Sequence, residues 1–204
     1  MLEREKVIEQ AAEMFAEQGI KSIRMDDIAH ALAMSKRTLY EMFEDKEELL
    51  YLAISYMRRR RMAAVEERLR QNSDSLAFLF ETFDMMTENR EVQRRMSTNL
   101  HKFYPRVFER VTTEAAEESG RALYTLINHY VECGLILPTV DVRLSVTILY
   151  YTITTLTTSV DNKSFSNDVT LEDALHYTII NFFRGIATLK GVEQIDAYIT
   201  ANKK

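Results

Sequence analysis

The spacing of apolar residues in the second half of the chain limits the fold more than any other feature. In residues 142–160 these residues recur at intervals of four and three, at Val142, Val146, Leu149, Ile153, Leu156 and Val160. A second series repeats the pattern at Leu175, Ile179, Phe182, Ile186 and Leu189. The first series is rich in β-branched residues, which favour strands, but a heptad spacing sustained over this length is typical of a helix.

Each series forms an apolar seam, a line of apolar residues along one side of its helix. Two consecutive helices with such seams can pair within one chain, or they can meet their copies in a second chain as a four-helix bundle. We favour the second arrangement, a homodimer. Its predicted interface consists of Val146, Leu149, Ile153, Leu156, Leu175, Ile179, Phe182 and Ile186.

Turn-forming residues are scarce, with five glycines and two prolines among 204 residues. Because a β-sheet needs frequent turns, this scarcity favours an all-α fold. Hydrophobic residues make up 46% of the chain, which is enough for one or two cores and excludes a disordered protein.

The longest uncharged run, Leu144 to Val160, carries six threonines and two serines and is too polar to span a membrane. The single cysteine, Cys133, excludes an internal disulfide framework and any zinc site built from several cysteines. We therefore expect a cytoplasmic protein without membrane contact. Since the sequence shows no phosphate-binding loop, catalytic triad or metal motif, we expect neither a cofactor nor an enzyme.

Helical periodicity divides the chain into regions. An N-terminal three-helix domain is predicted over residues 1–46, a connecting helix over 47–71, and a larger helical domain over 72–204. Further helices are predicted near 74–89, 92–101, 105–133, 141–160 and 170–190, with Pro105 in a first turn and Gly134 after a last one.

Residues 25–50, MDDIAHALAMSKRTLYEMFEDKEELL, have the outline of a helix-turn-helix unit, with two short helices joined by a tight connection. Ser35 is placed to cap the second of them, which buries Leu39 and Phe43. On the helical wheel Arg37, Thr38 and Glu41 point away from the buried side, and Lys36 and Tyr40 flank them. A recognition helix would present such donors to base edges and phosphates.

This segment resembles the DNA-binding domain of the TetR family of bacterial transcriptional regulators over about residues 4–52. The matching residues are Gly19, Ile28, Ala29, Ser35, Thr38, Leu39, Tyr40, Phe43, Lys46 and Leu49. Three positions depart from the family pattern, with Arg24 where a threonine is frequent, Ala33 where a glycine is common in the turn, and Met42 where a histidine is frequent.

The resemblance implies a homodimeric regulator, most often a repressor, whose third helices enter the major groove of a palindromic operator. It assigns base contacts to Lys36 and Arg37 and phosphate contacts to Thr38, Tyr40 and Lys46, and Arg24 is placed to reach a phosphate as well. The C-terminal domain of the family binds a small-molecule effector. The candidate pocket residues here are Phe83, Met86, Phe103, Tyr104, Tyr124 and Tyr130.

The charge balance of the N-terminal segment argues against DNA binding. Residues 1–46 contain seven basic and ten acidic side chains, a net charge of −3. Local clustering of cations near the proposed surface must therefore outweigh the average, and we expect modest nonspecific affinity for DNA. The acidic balance keeps an alternative open, a helical protein-interaction module that does not bind DNA.

Two further features need an account. His129 and Cys133, at i and i+4, present two metal ligands, but two ligands do not make a site, and His101 adds a third only if the fold brings it close.

The run MRRRRM, residues 57–62, lies about 18 Å along its helix from Lys46, so it is not the segment that contacts DNA. None of its arginines has an acid three or four residues away, and their partners must come from other helices, a second subunit or water. We expect the run to lie between the DNA-binding head and the effector domain and to transmit the effect of ligand binding from one to the other.

Overall fold

A computed structural model describes residues 2–71, 74–87, 90–158 and 170–202. In these ranges the regular elements are ten α-helices and one isolated antiparallel bridge, between Ile136 and Ala187. The helices are α1 (Leu2–Gln18), α2 (Met25–Ala31), α3 (Lys36–Met42), α4 (Lys46–Gln71), α5 (Leu76–Thr87), α6 (Arg90–Phe103), α7 (Pro105–Glu132), α8 (Val142–Thr158), α9 (Leu171–Ile186) and α10 (Leu189–Ala201). The predicted all-α fold, with an N-terminal helix-turn-helix followed by a larger helical region, is confirmed.

The chain forms two compact units. The first comprises Met1–Glu66 and Asn89–Ala116, and the second comprises Glu67–Glu88 and Glu117–Lys204. Both α4 and α7 therefore contribute residues to each unit.

The core of the first unit follows the predicted helical spacing. Ala11 and Phe15 of α1 are at most 1% exposed, and so are Leu39 of α3 and Phe43, which directly follows that helix. Helix α1 closes at Gly19, whose φ of +84° lies in the left-handed region that glycine adopts at little cost. The Asp45 carboxylate accepts a hydrogen bond from the Glu48 amide at 2.8 Å and caps α4.

The core of the second unit is built around large aromatic side chains. Phe80 of α5 packs against Phe183 of α9 and Tyr198 of α10, with ring centroids 6.0 and 5.1 Å apart. Gly191 of α10 lies so close to Leu135 that an added Cβ would meet the carbonyl oxygen of Leu135 at 2.2 Å. This contact requires glycine, and it seats α10 against the segment that follows α7.

The helix predicted over 170–190 is wrong at its end. Helix α9 stops at Ile186 because Ala187 is extended and pairs with Ile136, and Thr188 then caps α10 by accepting a hydrogen bond from the Gly191 amide at 3.2 Å. Leu189 consequently leaves the second seam and is 85% exposed at the start of α10, a helix that the periodicity did not reveal.

The remaining seam residues lie mainly in the core of the second unit. Val146, Leu149, Leu175 and Ile179 are buried there, and α8 contacts α9 within the chain. Ile153, Leu156, Phe182 and Ile186 are half-buried. Val160 is outside the described residues. Packing of α8 against α9 within one chain therefore explains the two seams. The buried seam residues have little surface left for contact with a second chain.

Candidate nucleic-acid interface

A tight turn fixes α3 against α2. Ala33 adopts a φ of +50°, a left-handed conformation at the position where the sequence departs from glycine. The Ser35 hydroxyl accepts a hydrogen bond from the Thr38 amide at 3.1 Å, so the predicted cap is confirmed. Because Leu39 and Phe43 anchor its inner side, the opposite side of α3 faces outward.

The outward side of α3 carries an arginine held by its own helix. The side chain of Arg37 is 89% exposed, and its Nε lies 2.9 Å from Oε1 of Glu41. This i,i+4 pair restrains the guanidinium without covering it. Thr38 differs from the wheel prediction because it is half-buried, with its hydroxyl 2.8 Å from that of Ser35.

Lys36 and Tyr40 flank Arg37 on the same helix. The Lys36 ammonium lies 2.8 Å from a carboxylate oxygen of Asp26 on α2, and the hydrogen bond with that carboxylate raises the pKa of Lys36. Tyr40 is 45% exposed, with its ring 6.0 Å from the Lys36 nitrogen. The lysine remains charged and accessible, but a phosphate must compete with Asp26 for it.

Arg24 lies exposed just before α2. Its backbone amide donates a hydrogen bond to the Asp27 carboxylate at 2.7 Å, the contact that the third helical residue makes in a capping box. The guanidinium only donates hydrogen bonds, so it cannot replace the hydroxyl acceptor of a threonine cap.

Lys46, to which the resemblance assigns a phosphate contact, makes contacts within the first unit in the free protein. Its ammonium donates a hydrogen bond to the carbonyl oxygen of Ile20 at 2.6 Å. It also lies 5.3 Å from the ring centroid of Tyr104 and 5.9 Å from that of Phe15. The side chain thus ties the start of α4 to the loop after α1, an internal contact that a sequence pattern cannot distinguish from a phosphate contact.

Acidic side chains accompany the cations of this surface. Asp26 and Glu41 pair with Lys36 and Arg37, so much of the positive charge is compensated in the free protein. A polyanion would therefore have to compete with these acids for the cations. The arrangement favours contacts that reward geometry, such as a guanidinium on a base edge, over general electrostatic attraction.

Arg58 and Arg60 of the arginine run have partners on other helices of the first unit, which is one of the alternatives that the lack of nearby acids left open. Arg58 is only 17% exposed and reaches Glu114 at 3.4 Å and the carbonyl oxygen of Val111 at 3.0 Å, both on α7. Arg60 lies 3.7 Å from Glu9 of α1. At least two of the arginines therefore brace α4 against α7 and α1.

The candidate effector residues have different environments. Tyr130 is fully buried and donates a hydrogen bond to the carbonyl oxygen of Ser75 at 3.2 Å, which is a core role. Phe103 and Tyr124 are exposed, and Phe83 and Tyr104 are half-buried. The side chain of Met86 is outside the described residues. Phe103 and Tyr104 belong to the first unit and the other described members to the second, so no single core holds the set.

The second unit brings an unpredicted residue to His129 and Cys133. Asp74, which precedes α5, places a carboxylate oxygen 3.3 Å from the Cys133 sulfur and 3.5 Å from Nε2 of His129. No local spacing signals this contact, because Asp74 is distant in sequence. Burial and the neighbouring carboxylate raise the pKa of the Cys133 thiol, which is the opposite of what an activated nucleophile needs. His101, the third ligand considered from sequence, lies in the first unit against Phe108.

No helix in the described part of the chain has the length and apolarity needed to cross a membrane.

Comparisons with known proteins support the helix-turn-helix and the all-α fold. Residues 7–51 match the sequence model of the bacterial regulatory proteins of the tetR family. No curated protein matches the chain significantly. A transcriptional regulator from Cytophaga hutchinsonii ATCC 33406 shares the fold with a TM-score of 0.76 at 18% identity, over 90% of this chain and 98% of that one.

Two further solved structures show the same fold. A TetR-family regulator from Mesorhizobium loti MAFF303099 superposes with a TM-score of 0.66 at 16% identity, covering 91% of this chain and 96% of that one. A second TetR-family regulator from Cytophaga hutchinsonii gives 0.65 at 17% identity, covering 91% and 94%. The family match covers the helix-turn-helix, so residues 7–51 are similar to the DNA-binding domain of the tetR family, and this similarity supports a DNA-binding transcriptional regulator.

Proposed function

We propose that the protein is a homodimeric repressor that binds a palindromic operator through α3 of each subunit and is released by a small-molecule effector. The observation that carries the proposal is the outward side of α3, where a highly exposed Arg37 is held by Glu41 on a helix fixed by a cap and a buried inner side.

Base contacts are assigned to Arg37 and Lys36. A guanidinium donates two hydrogen bonds to guanine, a contact worth about 1–3 kcal/mol of discrimination against other bases. Its restraint by Glu41 lowers the entropy lost on binding. Phosphate contacts are assigned to Tyr40 and Arg24, whose exposed side chains flank the helix-turn-helix, with Thr38 contributing less because its hydroxyl is engaged by Ser35.

The dimer is proposed to form through α8 and α9, but with a different set of side chains from the buried seam residues. Leu144, Ile148 and Tyr151 recur at intervals of four and three on α8 and are 56%, 50% and 66% exposed. Tyr177 on α9 is 72% exposed. Such a stripe of large exposed residues on a helix pair is suited to a partner surface.

The remaining assignments rest on the family. Residues 1–46 serve as the DNA-binding domain, 47–71 as the connecting helix and 72–204 as the effector-binding and dimerisation domain. Release requires that effector and operator prefer different conformations, with a coupling energy of about 1–3 kcal/mol. A regulator of bacterial DNA acts in the cytoplasm, and we place the protein there.

Selection of bound sequences from random duplex DNA, with the purified full-length protein, tests the proposal. A palindrome whose half-sites are spaced for a dimer is expected. Replacing Lys36 and Arg37 together by alanine should abolish binding to that sequence, whereas the same change at Arg70 and Arg121, exposed cations remote from α3 in sequence, should preserve it. Failure to enrich any sequence would favour the protein-interaction module instead.

The dimer is tested separately by light scattering after size-exclusion chromatography. Glutamate at Ile148 and Tyr151 should convert the protein to a monomer, because each would place a charge in the proposed apolar contact. Leu189→Glu is the matched control, since Leu189 is equally apolar and even more exposed but lies outside the stripe. A dimer that persists in the double variant would remove α8 from the interface.

A further inference from the structure

Asp74, His129 and Cys133 form a compact triangle of donor atoms in the second unit. The Cys133 sulfur lies 3.4 Å from Nε2 of His129 and 3.3 Å from a carboxylate oxygen of Asp74, and that oxygen lies 3.5 Å from Nε2. All the donor atoms are within 4.8 Å of one another.

These separations match the edges of a metal coordination polyhedron. Zinc binds thiolate at about 2.3 Å and imidazole or carboxylate at about 2.0–2.2 Å in tetrahedral geometry. Two such ligands of one tetrahedron are then roughly 3.3–3.6 Å apart. The three observed edges need almost no adjustment for one ion to reach all three atoms.

The segment that carries Asp74 is held in place by the core. Gln194 of α10 donates a hydrogen bond to the carbonyl oxygen of Asp74 at 3.2 Å and accepts one from the amide of Leu76 at 2.9 Å. The fully buried Tyr130 donates a third, to Ser75. These anchors, at Asp74 and the two residues after it, hold the backbone that carries the carboxylate against α7 and α10 before any ion binds, and such pre-organisation favours binding.

We propose that Asp74, His129 and Cys133 bind a divalent transition-metal ion of the zinc class. The donor set of one sulfur, one nitrogen and one oxygen suits this class and is too soft for magnesium or calcium. One thiolate and one carboxylate neutralise the two charges of the ion. Cys133 releases its proton to solvent when the metal–sulfur bond forms.

The site has an open side. The side chains of Asp74 and His129 are 79% and 37% exposed, so a water molecule completes the coordination. Three protein ligands with one water-filled position differ from a closed structural site, which has four protein ligands.

The test uses the full-length protein stripped with a chelator. Titration with Co²⁺ should produce a thiolate-to-cobalt charge-transfer band and the intense visible bands of tetrahedral cobalt, and Zn²⁺ should abolish both at one equivalent per chain. Competition with a chromophoric chelator then gives the zinc affinity. Cys133→Ser should eliminate the charge-transfer band, and Asp74→Asn should lower zinc affinity by at least the roughly 10- to 100-fold typical of losing even a supporting group.

His101→Gln is the matched control, because it removes a histidine from the first unit and should leave cobalt spectrum and zinc affinity unchanged. Circular dichroism establishes that each variant is folded. The proposal is overturned if the wild type binds no cobalt, or if Asp74→Asn and Cys133→Ser bind zinc as tightly as the wild type. In the first case the triangle is only a hydrogen-bonded cluster, and in the second zinc binds elsewhere.

Discussion

Lys46→Met separates an internal role of this lysine from a contact with DNA. Methionine retains most of the apolar stem but removes the ammonium that donates to the Ile20 carbonyl oxygen. A hydrogen bond from a charged group contributes about 1.5–3 kcal/mol, and each cation–π contact near the 6 Å limit adds a few tenths to about 1 kcal/mol. Because the ammonium is only partly buried, we expect a loss of about 2 kcal/mol.

Two measurements distinguish the internal role of Lys46 from a phosphate contact. For a chain of this size, 1 kcal/mol corresponds to roughly 2–4 °C, so the protein should unfold about 4–8 °C lower in the variant. Operator affinity is measured by fluorescence anisotropy across a range of salt concentrations, well below the melting temperature. A lost phosphate contact reduces the magnitude of the salt slope by about 0.9 per contact, or about 1.8 for a dimer. We expect no such reduction.

Lys6→Met provides the control, since Lys6 is an exposed lysine of α1 and its replacement should change neither quantity. Unchanged stability together with a shallower salt slope would refute the internal role. Lys46 would then contact phosphate, and the bond to Ile20 would be replaced when DNA binds.

Three further substitutions test other parts of the first unit. Asp26→Asn frees Lys36 and should tighten DNA binding roughly two- to five-fold with a steeper salt dependence, and unchanged anisotropy curves would contradict this. Ala33→Gly relieves a left-handed alanine at about 1–2 kcal/mol, partly offset by the entropy of glycine, so the melting temperature should rise by about 2–4 °C; a fall would show that the turn is not strained. A hydrogen bond from the Tyr51 hydroxyl, and to a smaller extent hydrogen bonds from neighbouring guanidiniums, lower the pKa of Glu114. This carboxylate therefore stabilises the fold above its unfolded pKa near 4.5, and that stabilisation is lost as the pH falls through the lower folded pKa. Glu114→Gln should therefore flatten the acid side of the stability profile measured by circular dichroism, and an unaltered profile would refute the assignment.

The elements that sequence predicted well are those set by local chemistry. Gly19, Ser35 and Pro105 mark helix ends through backbone conformation and capping, and each lies where such a residue is needed. The inner side of α3 followed from the spacing of Leu39 and Phe43 because burial repeats with the helical period. The break between α9 and α10 escaped the same reasoning, since the pairing of Ala187 with Ile136 is invisible to periodicity.

The sequence by itself determined that the chain is helical, that residues 25–50 form a helix-turn-helix, and that Arg37 lies on the outer side of its second helix. Only the tertiary structure decided which distant groups meet. It directs Lys46 to Ile20, gives Arg58 its partner Glu114, turns the heptad seams toward the chain's own core, and places Asp74 beside His129 and Cys133. The physical reason is that capping and helical spacing act over a few residues, whereas contacts between helices depend on how whole faces pack, which no local pattern encodes.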